Sequence, residues 1–468
     1  MDSLPSIAKP PRTFRHVLWK VGLGATLFIV TAAITSMFMA GDKNFSKGAF
    51  GGDLVPGYVA GKLINEGRAD LLFNPHTVSR MVGQVLERSY PDAKYDGGMS
   101  PWMNPPFFGL LFVPLAKLSS YPMALGVWMT FNTLLTVASG VLLTSLIPRS
   151  AGWSARGLVP LGLVTAFPFV QTFTHQQSTY LSLTILSIAI VLAVRAIQAR
   201  GLFSARSAQY SWACGLIAGL MFFKPQLGLG VVLALSMVVG YRVLLGAVFT
   251  GALLMAIGEW TMPGSTAAFF IEMPLAVATL QERRGYGWQR QTTLMAFWRI
   301  MFQGAETGGP TLPIVRILLA ASVAGVITML AVTAHWVRNA PVVSRLSASR
   351  RWLAGAIACV PLVMPYYMDY DLLLLVAGAT LLATDVLSSA KPMEKPDRTM
   401  AWTWVALWAW LLFQPPMAGK WPVNITVLLI AGLAGMMLWS VRSSVARGLM
   451  HRVETVGRDD EVEYRSAA

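Results

Sequence analysis

Apolar runs close to the length needed to cross a bilayer recur through almost the whole chain with short breaks between them, and this pattern limits the fold more than any other feature. With 55% hydrophobic and only 13% charged residues over 468, the chain cannot cover so many runs with a polar surface, so its solvent is lipid. The spacing predicts an all-α polytopic bundle with spans near 21–40, 121–147, 157–174, 178–197, 208–223, 225–241, 243–262, 316–337, 352–366, 370–387, 400–414 and 422–440, about twelve transmembrane helices in all. The first run follows Lys9, Arg12, Arg15 and Lys20, is too long for a signal-peptide core and lacks a small-residue cleavage site, so it reads as an uncleaved span.

A formal net charge of +15 would suggest a nucleic-acid partner in a soluble protein. Here the basic residues lie between apolar runs and follow topology instead, which argues against nucleic acid. With the N-terminus in the cytoplasm, the cytoplasmic loops hold Arg149 and Arg156; Arg195, Arg200 and Arg206; Arg242; Arg338, Arg345, Arg350 and Arg351; and Lys391, Lys395 and Arg398. Arg442, Arg447 and Arg452 follow the last span, so both ends are expected inside. Residues 1–441 read as one membrane domain and 442–468 as a disordered cytoplasmic tail. Cys214 and Cys359 fall in separate apolar runs and signal neither a disulfide nor a metal site.

Two segments, 41–120 and 263–315, interrupt the pattern on the expected periplasmic side. Val55, Val59 and Leu63 recur at helical spacing, as do Val78, Met81, Val82 and Val85, predicting two amphipathic helices along the membrane surface. Pro105 and Pro106 open an apolar stretch over 107–118 that is too short to cross unaided, so an interfacial or re-entrant helix is expected there. Trp402, Trp404, Trp408 and Trp410 read as an interfacial belt.

Polar residues at the ends of lipid-embedded helices are expensive, and in this topology they gather at one face. The periplasmic ends present Asp53; His175, Gln176, Gln177 and Ser178; Lys224 and Gln226; Glu282, Arg283 and Arg284; and Tyr366, Tyr367, Asp369 and Asp371. Carboxylates beside cations suit transfer from an anionic lipid-linked donor: a carboxylate takes a proton from an acceptor hydroxyl while cations stabilise a departing phosphate. No Walker phosphate loop, GxSxG elbow or HExxH motif occurs, which speaks against an ATP-driven pump, a serine hydrolase and a zinc protease.

Five motifs in order carry a family resemblance: Gly52-Asp53 followed by Tyr58, Ala60 and Gly61; Asn104-Pro105-Pro106-Phe107-Phe108; Gln176 and Ser178; Phe223-Lys224-Pro225-Gln226-Leu227-Gly228; and Pro365 through Asp369-Tyr370-Asp371-Leu372. In this series the chain resembles the polyprenol-phosphate-dependent glycosyltransferases of the GT-C superfamily, most closely family 87, the α-mannosyltransferase-like group. The resemblance implies a GT-C helical bundle with a long first periplasmic loop, and a hexose or pentose, mannose by family default, moved from a polyprenyl-monophosphate donor. No nucleotide sugar enters, and no cofactor is implied. The acceptor would be a hydroxyl of a glycolipid or envelope glycan at the bacterial inner membrane.

By the same resemblance Asp53 is the base of a single inverting displacement. From its surroundings alone, Gly51-Gly52-Asp53 before an amphipathic helix is equally good capping chemistry. Lys224 and, more weakly, Arg283 and Arg284 are candidates for the donor phosphate, against a snorkelling lysine and ordinary interfacial arginines, with Tyr286 and Trp288 available to stack on a sugar. Tyr58, Gln176, Gln177, Gln226, Tyr367 and Asp371 are carried over as substrate-binding positions, although His175 and Gln177 stand where the family usually has Gly and Asn. Asp369 and Asp371 flank Tyr370 at a helix start, so only one of them is expected to face the cavity. No metal site is indicated. Two other readings stay open at this point, a twelve-span transporter or flippase and a membrane polysaccharide polymerase or ligase.

Overall fold

A computed structural model describes residues 51–90, 99–200, 204–389, 393–417 and 421–466. The span expected over 21–40, the basic residues before it, and Lys391 lie outside them. The described residues form helices joined by short turns, with no strand beyond a single bridge between Gln291 and Met368. In chain order the helices are α1 (Val55–Asn65), α2 (Pro75–Ser89), α3 (Tyr121–Leu146), α4 (Gly152–Val164), α5 (Phe167–His175), α6 (Thr179–Gln198), α7 (Ser204–Gly219), α8 (Pro225–Val239), α9 (Tyr241–Thr261), α10 (Ser265–Gln281), α11 (Leu294–Gln303), α12 (Pro313–Arg338), α13 (Val342–Val363), α14 (Leu375–Ser388), α15 (Lys395–Met417) and α16 (Ile425–Ser466).

Six stretches are long and apolar enough to span a bilayer: α3, α6, α9, α12, the 3-10 turn from Asp369 continued into α14, and the first part of α16, over Ile425–Ala446. A seventh arises if α4 and α5, bent by 47° at their junction, count as one broken span. Length and composition therefore give six or seven spans among the described residues and do not reach the expected twelve. The remaining runs also coil into helices, but α7 and α8 are short, α13 opens with Arg345, Arg350 and Arg351, and α15 opens with Lys395, Asp397 and Arg398. The last helix, α16, runs from Ile425 to Ser466.

Two helices, α1 and α2, form where the apolar spacing after residue 50 predicts them. Asn74 caps α2 by accepting the Thr77 N–H, and Ser120 caps α3 by accepting the Met123 N–H. The stretch after Pro105 forms two short helical turns, Pro106–Gly109 and Val113–Ala116, joined by a 3-10 turn, a short apolar helix as expected. It packs against α1, where Gly61 lets the backbone at Phe112 approach so closely that a Cβ would overlap it. Trp102, Phe108, Phe112 and Trp128 continue this contact into the core.

The bundle is closed by small residues and by one ionic lock. Gly215 and Gly219 on α7 face Val243, Ala247 and Thr250 on α9, a small-residue seam of the kind that brings membrane helices together. A Cβ at Gly219 would meet Ala247 O and Thr250 Cβ, both at 2.7 Å. Gly219→Ala is therefore expected to cost about 1–3 kcal/mol through overpacking, read as an earlier thermal transition of the detergent-solubilised protein.

Arg350 and Arg351, expected in an exposed basic loop, are instead buried within α13. Arg351 donates to Asp385 of α14 at 2.5 Å and to both carboxylate oxygens of Asp397 of α15 at 2.6 and 3.1 Å. Two aspartates more than thirty residues downstream supply the pairing that makes this burial tolerable. Asp385 lies near the C-terminal end of α14, the end away from the turn 364–374 that leads into that helix.

Candidate active site

The site begins with a glycine. Gly51 takes φ +79°, a left-handed conformation that suits residues without a Cβ, and its N–H donates to Thr174 O at 2.8 Å while its carbonyl accepts the Tyr121 hydroxyl at 2.6 Å. These bonds hold the 3-10 turn Gly52–Leu54 against the end of α5 and the start of α3. Asp53 in that turn caps nothing: neither the turn nor α1 has a side-chain cap. Its Oδ2 instead accepts the Gln177 amide at 2.5 Å and lies 3.9 Å from His175 Nδ1. Among the described residues Oδ1 has no partner, and the side chain is 40% exposed. The capping alternative therefore falls away, and a carboxylate with one oxygen free remains.

The corner that presents His175 and Gln177 is built around Gln176. At φ 55° it is the single non-glycine left-handed residue among those described. Its carbonyl accepts the Trp128 indole N–H at 3.0 Å, its side-chain oxygen accepts Asn132 at 3.0 Å, and its amide donates to Phe173 O at 2.6 Å. A strained backbone persists where surrounding contacts over-determine it, and it marks functional sites often enough to matter here. Gln176 itself is buried with both amide ends engaged, so it shapes the corner from behind, whereas Gln177 reaches Asp53.

Two ion pairs face this corner from the turn 369–374. Arg290 donates to both oxygens of Asp369, at 3.2 Å from Nε and 3.1 Å from Nη2, and Nη2 is also 3.4 Å from His175 Nε2. Gln171 completes the Asp369 shell at 2.8 Å. Burial works to weaken the Arg290 charge, but Asp369 outweighs it and the guanidinium pKa ends above its ordinary value. Lys224, in the break before α8, donates to Asp371 Oδ1 at 2.8 Å and to the Thr179 hydroxyl at 3.2 Å, and Thr179 also donates to Asp371 at 2.6 Å. Tyr370 lies between the pairs, its ring 5.5 Å from Lys224 Nζ and 6.0 Å from the Arg290 guanidinium carbon. Both aspartates are thus buried and engaged, each with its own cation, Asp369 with Arg290 and Asp371 with Lys224.

Several expected residues hold supporting places. Tyr367 is buried, its backbone joined to Gln291 and Thr292 and its hydroxyl donating to the Asp371 carbonyl at 2.8 Å. Tyr58 is buried edge-on to Tyr121, and Gln226 is half-buried at the start of α8. Arg283 and Arg284 are exposed in the turn after α10, where the backbone pairs with Glu306 and Gly309, and no hydrogen bond or ion pair joins their side chains to the carboxylates. Arg290 takes the position beside the carboxylates. Sequence reasoning passed over it, although a buried Asp369 requires a cation.

The arrangement offers a half-exposed carboxylate with a free oxygen, an imidazole beside it, and a guanidinium whose Nη1 is unbonded among the described residues. Such a set can remove a proton from a hydroxyl and steady an anionic leaving group. No curated protein and no solved structure matches the chain. The family model of glycosyltransferase family 87 matches residues 102–365, more than half the chain, covering Gln176, Lys224 and Arg290, while Asp53, Asp369 and Asp371 join them through geometry. The chain is a membrane glycosyltransferase and belongs to glycosyltransferase family 87.

Proposed function

We propose that the enzyme transfers a hexose or pentose, with mannose the family default, from a polyprenyl-monophosphate sugar to a hydroxyl of a glycolipid or envelope glycan, at the periplasmic face of a bacterial inner membrane and with both chain ends in the cytoplasm. The observation that carries this reading is the Asp53 carboxylate, fixed through Oδ2 by Gln177 and free at Oδ1, across from His175 and Arg290. The acceptor hydroxyl gives its proton to Asp53 Oδ1 as its oxygen bonds to the anomeric carbon. The bond from that carbon to the phosphate oxygen breaks, and the polyprenyl phosphate leaves as an anion. Arg290 Nη1 meets that anion, while Asp369 holds the guanidinium in place.

Lys224 has a different part here from that of a free phosphate ligand. Its ammonium is spent on Asp371 and Thr179, so it supports the turn that carries Tyr370 and Asp369, within reach of a phosphate only if Asp371 yields. Arg283 and Arg284, exposed in the turn ahead of Arg290, serve at the entrance, where a lipid phosphate first meets cations.

Donor class is tested with purified enzyme offered synthetic short-chain polyprenyl-phosphate sugars and, in parallel, nucleotide sugars, with membrane glycolipid extract as acceptor. Transfer from a polyprenyl-phosphate sugar alone is expected; transfer from a nucleotide sugar alone would overturn the donor assignment. Arg290→Lys keeps a charge but loses the planar fork, so transfer is expected to fall about 10- to 100-fold, the worth of one charged hydrogen bond. A raised KM for the donor with kcat unchanged would instead limit Arg290 to ground-state binding.

A further inference from the structure

His175 stands between the two groups on which the proposed transfer depends, and that transfer gives it no part. It is the last residue of α5, which the left-handed Gln176 brings to an end. Its Nε2 lies 3.4 Å from Arg290 Nη2 and its Nδ1 lies 3.9 Å from Asp53 Oδ2, so one ring touches the cation on one side and approaches the base on the other. Tyr370 packs toward the same ring, with centroids 6.3 Å apart and planes inclined at 52°. The side chain is 22% exposed, so protein groups rather than solvent surround most of it.

These neighbours decide where the ring carries its proton. A guanidinium has N–H donors and no acceptor, and Asp369 keeps that of Arg290 charged, so the contact with Nη2 needs a lone pair on Nε2. A neutral imidazole has one N–H, which then sits on Nδ1, the nitrogen that faces the carboxylate. The other charges agree. Arg290 and Gln171 engage Asp369, and Lys224 engages Asp371, so Asp53 is the carboxylate left for the ring. A second proton on the ring would set an imidazolium N–H against the guanidinium. The gap from Nδ1 to Oδ2 is about 1 Å longer than a hydrogen bond, and such gaps in active sites often close when substrate binds.

We propose that His175 is a positioning residue held as the Nδ1–H tautomer, accepting from Arg290 Nη2 and donating to Asp53 Oδ2 beside Gln177, so that one ring sets the base against the cation. Its part in transfer rests on the proposed roles of Asp53 and Arg290; its tautomer does not. Two donors on Oδ2 fix the carboxylate plane and leave Oδ1 as the oxygen that takes the acceptor's proton. The bond at Nη2 likewise leaves Arg290 Nη1 for the phosphate. A histidine that only ended α5 would act on the helix carbonyls through its charge, with no reason to keep its proton on Nδ1.

The tautomer is read by nitrogen NMR of the full-length protein labelled with 15N at its five histidines, in nanodiscs and at a pH where the imidazoles are neutral, with His175 assigned by the signals missing from His175→Asn. A protonated Nδ1 and an unprotonated Nε2 are expected; the Nε2–H form, or exchange between the two, would overturn the proposal. Transfer from a polyprenyl-phosphate sugar supplies the second readout. His175→Leu removes both ring nitrogens and is expected to lower kcat about tenfold, the worth of one hydrogen bond. His175→Asn sets an amide N–H close to where Nδ1 stood and is expected to recover most of that loss. Asparagine no better than leucine, or leucine equal to wild type, would each overturn the positioning role. An Nδ1–H ring in an enzyme that transfers from no lipid-linked donor would keep the bridge and remove the donor assignment, whereas transfer by an enzyme with an Nε2–H ring would remove the bridge alone.

Discussion

Asp53→Asn is expected to lower sugar transfer by roughly two to four orders of magnitude while donor binding persists, the range contributed by a positioned general base. An asparagine keeps the size of the side chain, and its amide oxygen still accepts the Gln177 N–H that aspartate accepts at 2.5 Å. The turn Gly52–Leu54 is held by backbone bonds to Thr174 and Tyr121, so it stays in place. What is lost is the free oxygen that takes the proton in the proposed mechanism. Gln177→Leu removes the tether and leaves the carboxylate, so it is expected to lower activity less than Asp53→Asn does. Parallel rates across a donor series, with donor affinity measured on the same preparations, check both. Comparable losses in the two variants would mean that Asp53 acts through position alone.

Lys224→Met is expected to destabilise the protein by about 3–5 kcal/mol, because it strands Asp371 in a site where the two side chains are 8% and 3% exposed. The pair Lys224→Met with Asp371→Leu is expected to recover most of that loss, since an apolar pair of similar volume carries no uncompensated charge. Activity separates the roles further. If Lys224 steadies the turn through Asp371, the double variant regains stability and a substantial part of the transfer rate. A double variant that is stable but has lost all donor binding would assign the ammonium to the phosphate directly. Thermal unfolding in detergent and donor affinity together make the distinction.

The membrane-embedded helices were legible in the sequence because a bilayer imposes a length that apolar runs either meet or miss. Eleven of the expected runs coincide with described helices, and six or seven of these are long and apolar enough to span, the seventh depending on the bend between α4 and α5. The gathering of polar residues at one face was equally legible from loop charge. Their pairing was not. Lys224 meets Asp371 across 147 residues and Arg290 meets Asp369 across 79, and a single sequence offers several cations at that face with nothing local to choose among them. Arg283 and Arg284 stand out because they are adjacent, yet the lone Arg290 is the one the chain delivers, through the bridge between Gln291 and Met368. The dual possibility at Asp53 had the same origin: Gly51-Gly52-Asp53 favours a cap, and only the contact with Gln177, 124 residues away, shows the side chain turned elsewhere.

The stereochemistry of the product tests the central claim most directly. One displacement at the anomeric carbon, with Asp53 as base, inverts the configuration, so a β-linked polyprenyl-phosphate sugar must give an α-linked glycoside, read from the anomeric coupling in the NMR spectrum of the purified product. An inverted product formed by the wild type and not by Asp53→Asn is the predicted result. A product that retains the donor's configuration would require two displacements and a covalent intermediate, and would contradict a mechanism in which Asp53 only removes a proton.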